Sequence, residues 1–147
     1  MSKNRHLARQ LVVKALFVHL SQVDQQESFS AIDYVIEHFG KQLVDETFAR
    51  NLFEMCLKNL DNSFDLITEF APEWPIEKIA QLDKVILVLG MTEILYPMPD
   101  VPPVVAINEA VELAKEFADQ SSAKFINGVL SNLAKIKLGQ EKLQANS

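Results

Sequence analysis

Proline placement is the strongest constraint on how this chain folds. All six prolines fall in two clusters, Pro72 and Pro75, then Pro97, Pro99, Pro102 and Pro103, so none interrupts the first 71 residues. Proline removes a backbone donor, fixes φ and restricts the residue before it, so it disrupts helix interiors. The clusters therefore mark the two principal breaks, and the stretches around them are read for helical periodicity.

Residues from about Asn4 to Ser21 favour helix. Beyond Leu7 the apolar side chains lie nearly all the way round, which is the pattern of a helix surrounded by others. Ser28 to Phe39 reads as a second helix, with Phe29, Ile32, Val35, Ile36 and Phe39 inward and Gly40 as its stop. Asp45 to Leu60 reads as a third, striped by Phe48, Leu52, Met55 or Cys56, and Leu60. Asp61-Asn62-Ser63 then breaks it, and Phe64 to Phe70 forms a short fourth piece. Between the proline clusters Ile79, Leu82, Val85, Ile86 and Leu89 build a wide apolar face, so Leu82 to Leu95 is expected as a central buried helix. Gly90 inside it costs roughly 1 kcal/mol relative to alanine and predicts another helix crossing closely there. Tyr96 to Pro103 is expected to be extended and irregular.

The stretch from Pro102 to Ala134 reads as a helix hairpin. Ala106, Ala110, Leu113, Ala114 and Phe117 share one stripe, with Glu109, Glu112 and Glu116 on the other side; Phe125, Val129, Leu130 and Leu133 repeat the pattern. Asp119, Gln120, Ser121 and Ser122 lie between them, and one of this run opens the second helix. A helix start carries unpaired amide donors and the positive end of the dipole, which attract phosphate. Lys115 and Lys124 flank it, and Phe117 and Phe125 offer aromatic faces of the kind that hold unpaired RNA bases. The plainer alternative is that both rings are core and the cap is only a cap. Asn127-Gly128, inside the second helix, is expected to admit a neighbouring backbone, and the tail after Lys137, which lacks a stripe, is expected to fray.

A chain of 147 residues fits one domain, or two small halves sharing a core. The net charge of −6 argues against a general nucleic-acid binder, yet the charge is polarised. Residues 1–23 hold Lys3, Arg5, Arg9 and Lys14 and no acid, whereas the remainder carries 10 bases and 20 acids. Such asymmetry suits a local basic footprint on an acidic body, although a basic N-terminus is also often just solvated. Arg5 and Arg9, four apart on one face at the open end of the first helix, are placed to reach neighbouring phosphates. The segment is not a signal peptide, because Lys14 and His19 interrupt its apolar run and no small-x-small site follows. No apolar stretch approaches the roughly 20 residues that span a bilayer, so a cytoplasmic protein is expected.

No motif for catalysis, metal or cofactor is present. The four glycines, at 40, 90, 128 and 139, are scattered and form no phosphate loop. His38 has no second ligand at metal spacing and is expected at the surface. Cys56, the single cysteine, reads as a buried small apolar residue rather than a nucleophile. Asp83 stands among apolar neighbours at a helix start, where the dipole favours a carboxylate.

Two strings carry a family resemblance. Val105-Ala106-Ile107-Asn108-Glu109-Ala110-Val111-Glu112-Leu113-Ala114-Lys115, followed by Lys124-Phe125-Ile126-Asn127-Gly128-Val129-Leu130, resembles the C-terminal signature of the NusB family of transcription antitermination factors. Trp74 to Leu87 is similar to that family's middle helix, and Ala8-Arg9 with Ala15-Leu16-Phe17 resembles its arginine-bearing first helix. The resemblance implies an all-α fold of about seven helices in two antiparallel groups sharing one core. It implies a single domain with an N-terminal subdomain of about 1–71, a C-terminal one of about 72–137 and a polar tail 138–147. It implies no enzyme and no cofactor, but binding of boxA-type single-stranded RNA together with the ribosomal protein NusE, and indirectly with RNA polymerase. Lys3, Arg5 and Arg9 would neutralise phosphates, Phe117, Ser121, Ser122, Lys124 and Phe125 would hold nucleotides, and Asp83 would meet NusE. The charged opening of the first helix and the hinge of the final hairpin are expected to form one cradle. Two departures stand out: His6-Leu7 precede Ala8-Arg9 where members often carry consecutive arginines, and Phe17 stands where tyrosine is common. A helical interaction scaffold with weak or lost RNA binding is the alternative. The RNA-binding module of some rRNA cytosine methyltransferases is disfavoured, because no methyltransferase domain follows Ser147.

Overall fold

Several helices begin at a capping residue or a proline. Ser30 accepts from the Ile32 amide with its hydroxyl, and Asp45 Oδ1 accepts from the Thr47 amide at 2.9 Å. Pro103 occupies the first turn of its helix, where its missing N–H is no loss. The computed structural model describes residues 2–21, 30–43, 45–96 and 101–146, without the side chains of 2, 3 and 140–146. Among these are seven α-helices: α1 (Ser2–Ser21), α2 (Ala31–Phe39), α3 (Thr47–Lys58), α4 (Leu60–Phe70), α5 (Gln81–Leu95), α6 (Pro103–Phe117) and α7 (Gln120–Asn146). A single 3-10 turn, Ile76–Lys78, precedes α5, and the described residues include no strand.

The chain divides into two compact units, residues 1–58 and 59–147. The division falls before α4 rather than near residue 71, because α4 packs on α5, α7 and the 3-10 turn. In the first unit α1 packs on α2 and α3, and Ala8, Leu11, Val12, Val13, Ala15 and Leu16 are all buried. In the second, α6 and α7 form the expected hairpin and α5 packs against both. Every residue of α5 from Val85 to Ile94 is buried, so it is enclosed on all sides rather than along one face. At Gly90 both neighbours come close: a β-carbon there would lie 2.6 Å from Leu130 Cδ1 and 3.4 Å from Ala110 Cβ.

Several expectations are corrected. Ser28 and Phe29 lie outside the described residues, and α2 starts at Ala31 behind the Ser30 cap. Phe39 is 52% exposed rather than inward, with the Lys14 Nζ 4.3 Å from its ring centroid. The α3–α4 break is at Asn59, so Asp61-Asn62-Ser63 starts α4 instead of ending α3. Asp61 then sits in the first turn, where the dipole favours it. Of the segment between α5 and α6, residues 97–100 lie outside the described set. α7 continues as helix to Asn146 where fraying was expected. Gly128 admits no neighbour, since nothing lies within 4 Å of a β-carbon built there. Asn127 is exposed and accepts from the Ser131 hydroxyl one turn on. The pair faces solvent because Ile126, Val129 and Leu130 already supply the buried stripe.

Candidate nucleic-acid interface

Five of the residues expected at the site, Phe117, Ser121, Ser122, Lys124 and Phe125, lie at or beside the α6–α7 turn. Asp119 opens α7: its Oδ1 accepts from the Ser122 amide at 2.8 Å, closing one of the donors a helix start leaves unpaired. A carboxylate at this position also opposes an incoming phosphate. The anion site expected from the bare helix start is thereby weakened, although Ser121 and Lys124 remain exposed beside it.

One turn inward lies a cavity of about 420 Å³ lined by Trp74, Lys78, Ile79, Ala80, Asp83, Ser121, Ser122 and Phe125. Three elements build it: the proline-flanked segment with its 3-10 turn, the first turn of α5, and the first turns of α7. Phe125 is half-buried, and Trp74, held between Pro72 and Pro75, is 55% exposed. Asp83 gives the cavity its polarity. Burial pushes its carboxyl above the ordinary 3.8, Ser122 partly restores the charged form, and the charge of Asp119 raises the value further. Its Oδ1 is enclosed and accepts from no group among the described residues.

Asp83, Ser121, Ser122 and Phe125, assigned to two different partners from the sequence, therefore share one site. Phe117 and Lys124 belong to the same hairpin but do not line the cavity. Trp74 and Lys78 were missed as site residues because neither falls on a helical stripe. The usable signal was a large aromatic lodged between two prolines, where no core position exists for it.

The first unit holds the arginines singled out in the sequence. Arg5 and Arg9 both lie over the Phe48 ring, their Cζ atoms 4.7 and 5.2 Å from its centroid. Arg5 is half-buried, but Arg9 is only 2% exposed. The expectation that both guanidinium groups face solvent is therefore corrected for Arg9, whose place in the helix falls among Ala8, Leu11 and Val12 on the buried side. The Lys3 side chain lies outside the described residues.

A family model described as the NusB family matches residues 6–135 of this chain. The chain belongs to the NusB family. Among relatives, the transcription antitermination protein NusB of Pediococcus pentosaceus is 38% identical, over 92% of this chain and 100% of its own. That of Bacillus subtilis is 36% identical over 88% and 93%. The chain covers 63% of the Heliobacterium modesticaldum NusB, at 36% identity. Solved structures agree. Thermotoga NusB ("T. maritima NusB") matches with a TM-score of 0.74 and 31% identity over 95% of this chain and 96% of that one. A structure of antitermination factors NusB and NusE in complex with dsRNA matches with a TM-score of 0.79 over 92% and 99%, at 22% identity, a level that speaks for the NusB fold alone. Among the described residues no helix is long and apolar enough to cross a membrane.

Proposed function

We propose that this NusB-family chain is a non-catalytic, cytoplasmic transcription antitermination factor that holds boxA-type single-stranded RNA together with the ribosomal protein NusE. Through that pair it joins the antitermination complex on RNA polymerase. The observation that carries the reading is the α5–α7 cavity, where an exposed tryptophan, a half-buried phenylalanine, two serines and a lysine surround one carboxylate. Single-stranded RNA is read by this combination of stacking faces and polar groups for base edges. In this reading Lys3 and Arg5 neutralise phosphates, and Arg9 acts mainly by holding the Phe48 ring on which Arg5 rests. Phe117 and Phe125 wall the bases, while Ser121, Ser122 and Lys124 bind backbone and ribose. Asp83, expected at NusE from the resemblance, lines the same cavity as Phe125, which supports a role on the RNA side.

A protein-interaction scaffold with weak or lost RNA binding is the competing reading. It is favoured by the burial of Arg9 and by the acidic cap on α7. Titration of labelled boxA-type RNA, with and without NusE and at two salt concentrations, separates them. Arg5→Glu is the variant of choice, because charge reversal at buried Arg9 would unfold the protein. Binding should weaken about tenfold at low salt, with a shallower salt dependence. Identical curves for wild type and variant would favour the scaffold.

A further inference from the structure

Resting on the RNA-binding reading above, we infer that Phe48 is a positioning residue for phosphate binding: its ring holds the Arg5 guanidinium ready for a phosphodiester without neutralising it. Phe48 is only 8% exposed and acts through Arg5, whose Cζ lies 4.7 Å from the ring centroid. The ring is a fixed platform. It stands in the first turn of α3, directly after the start that Asp45 caps through the Thr47 amide, and Ala49 and Leu52 beside it are fully buried. Arg9, one turn along α1, reaches the same ring with its Cζ at 5.2 Å, but its burial keeps it from a phosphate in solvent. Arg5 is half-buried and is the member of the pair that meets solvent.

Arg50, on the same helix as Phe48, shows what the ring spares Arg5. Its Nε donates to Glu46 at 3.1 Å and its Nη1 to Asp33, so two carboxylates hold Arg50 and offset its charge. No carboxylate among the described residues pairs with Arg5. An aromatic face attracts a cation through its quadrupole but brings no net charge. Arg5 is therefore held in place while keeping its full charge and the forked N–H donors that match a phosphate. A solvated arginine surrenders rotamer freedom when it grips an anion, and one already resting on a ring surrenders less. The ring's contribution to affinity is this pre-organisation, and the coulombic contribution stays with Arg5.

Equilibrium titration of boxA-type RNA in the presence of NusE tests the assignment on wild type, Phe48→Leu, Phe48→Tyr, Arg5→Gln and the Arg5→Gln, Phe48→Leu double variant, each shown by thermal denaturation to be folded at the titration temperature. Phe48→Leu keeps an apolar side chain but loses the quadrupole, and should weaken binding about fivefold. Phe48→Tyr keeps the ring and should bind within about twofold of wild type. Arg5→Gln should weaken binding about tenfold, and adding Phe48→Leu to it should change binding by less than about twofold, because the ring works through Arg5. Salt dependence divides the two roles. Arg5→Gln removes a phosphate contact and should flatten the salt slope by about 0.7, whereas Phe48→Leu leaves the charge in place and should keep the wild-type slope. In the free protein the Arg5 δ protons should carry an upfield ring shift in NMR spectra of wild type and Phe48→Tyr. A wild-type Arg5 signal without that shift overturns the assignment, whatever the stability of Phe48→Leu. So does a Phe48→Leu variant that binds like wild type, or one that weakens binding equally with and without Arg5. If wild type binds boxA-type RNA with NusE in those cases, the antitermination reading stands and only the platform falls. Wild type that binds no such RNA overturns that reading, and this inference with it.

Discussion

At Asp83 two effects oppose each other. It sits in the first turn of α5, where the dipole favours a carboxylate, yet its burial and the neighbouring Asp119 charge raise the pKa above 3.8. The folded state therefore binds this proton more readily than the unfolded chain. The penalty is fully present above the raised pKa and is relieved as pH falls through it towards the unfolded value. Asp83→Asn should accordingly stabilise the fold at neutral pH, with the gain shrinking as pH approaches about 4; urea denaturation at the two pH values checks this. The surface carboxylate Asp45 has the opposite sign. The Thr47 amide holds its pKa down, so its contribution exists at neutral pH and is lost in acid. Glycines make a second contrast at this scale. Gly128→Ala adds a methyl where nothing lies within 4 Å, and should stabilise α7 by about 0.5–1 kcal/mol. Gly90→Ala drives a methyl into buried Leu130, and should destabilise by roughly 1 kcal/mol despite the better helix propensity. Thermal denaturation should move in opposite directions for the two, by about 2–4 °C each.

Among the elements, α7 depends most on one side chain. Asp119→Ala removes the acceptor for the Ser122 amide and should cost about 1 kcal/mol. Asp119→Asn keeps an acceptor and removes the charge, so stability should hold while the Asp83 carboxyl titrates lower, as NMR of its side chain would show. The elements were also the most legible level of the sequence. Periodicity located α5, α6 and the start of α7 to within a residue or so, because apolar stripes and prolines bound them, but it missed the continuation of α7 to Asn146. It misplaced the α3–α4 break, since Asp61, Asn62 and Ser63 look like a loop but serve equally well as a helix start. It could not tell that Phe39 would end half exposed, because a ring covered by a lysine has the same spacing as a core ring. Of the cavity lining, the sequence singled out Asp83, Ser121, Ser122 and Phe125 but not their convergence. That convergence depends on how the proline-flanked segment returns to the hairpin, which no local pattern encodes.

Along the chain the candidate groups are divided: Arg5 and Arg9 with their supporting ring belong to the first unit, the cavity holding Asp83 to the second. If one RNA engages both, Arg5→Ala and Phe125→Ala should each weaken boxA-type binding, and the double variant should depart from additivity by about 0.5 kcal/mol or more in an equilibrium titration with NusE present. Strict additivity would mean that the two act on separate events. Within the second unit, the seat of Leu130 on Gly90 has a further consequence. Asp83 lies seven residues before Gly90 on α5, and Ser122 eight before Leu130 on α7, spans of about 10.5 and 12 Å. The interlocked pair thus works as a dowel pin at the far end of two nearly equal struts, and the gap between Asp83 and Ser122 is the dimension it gauges.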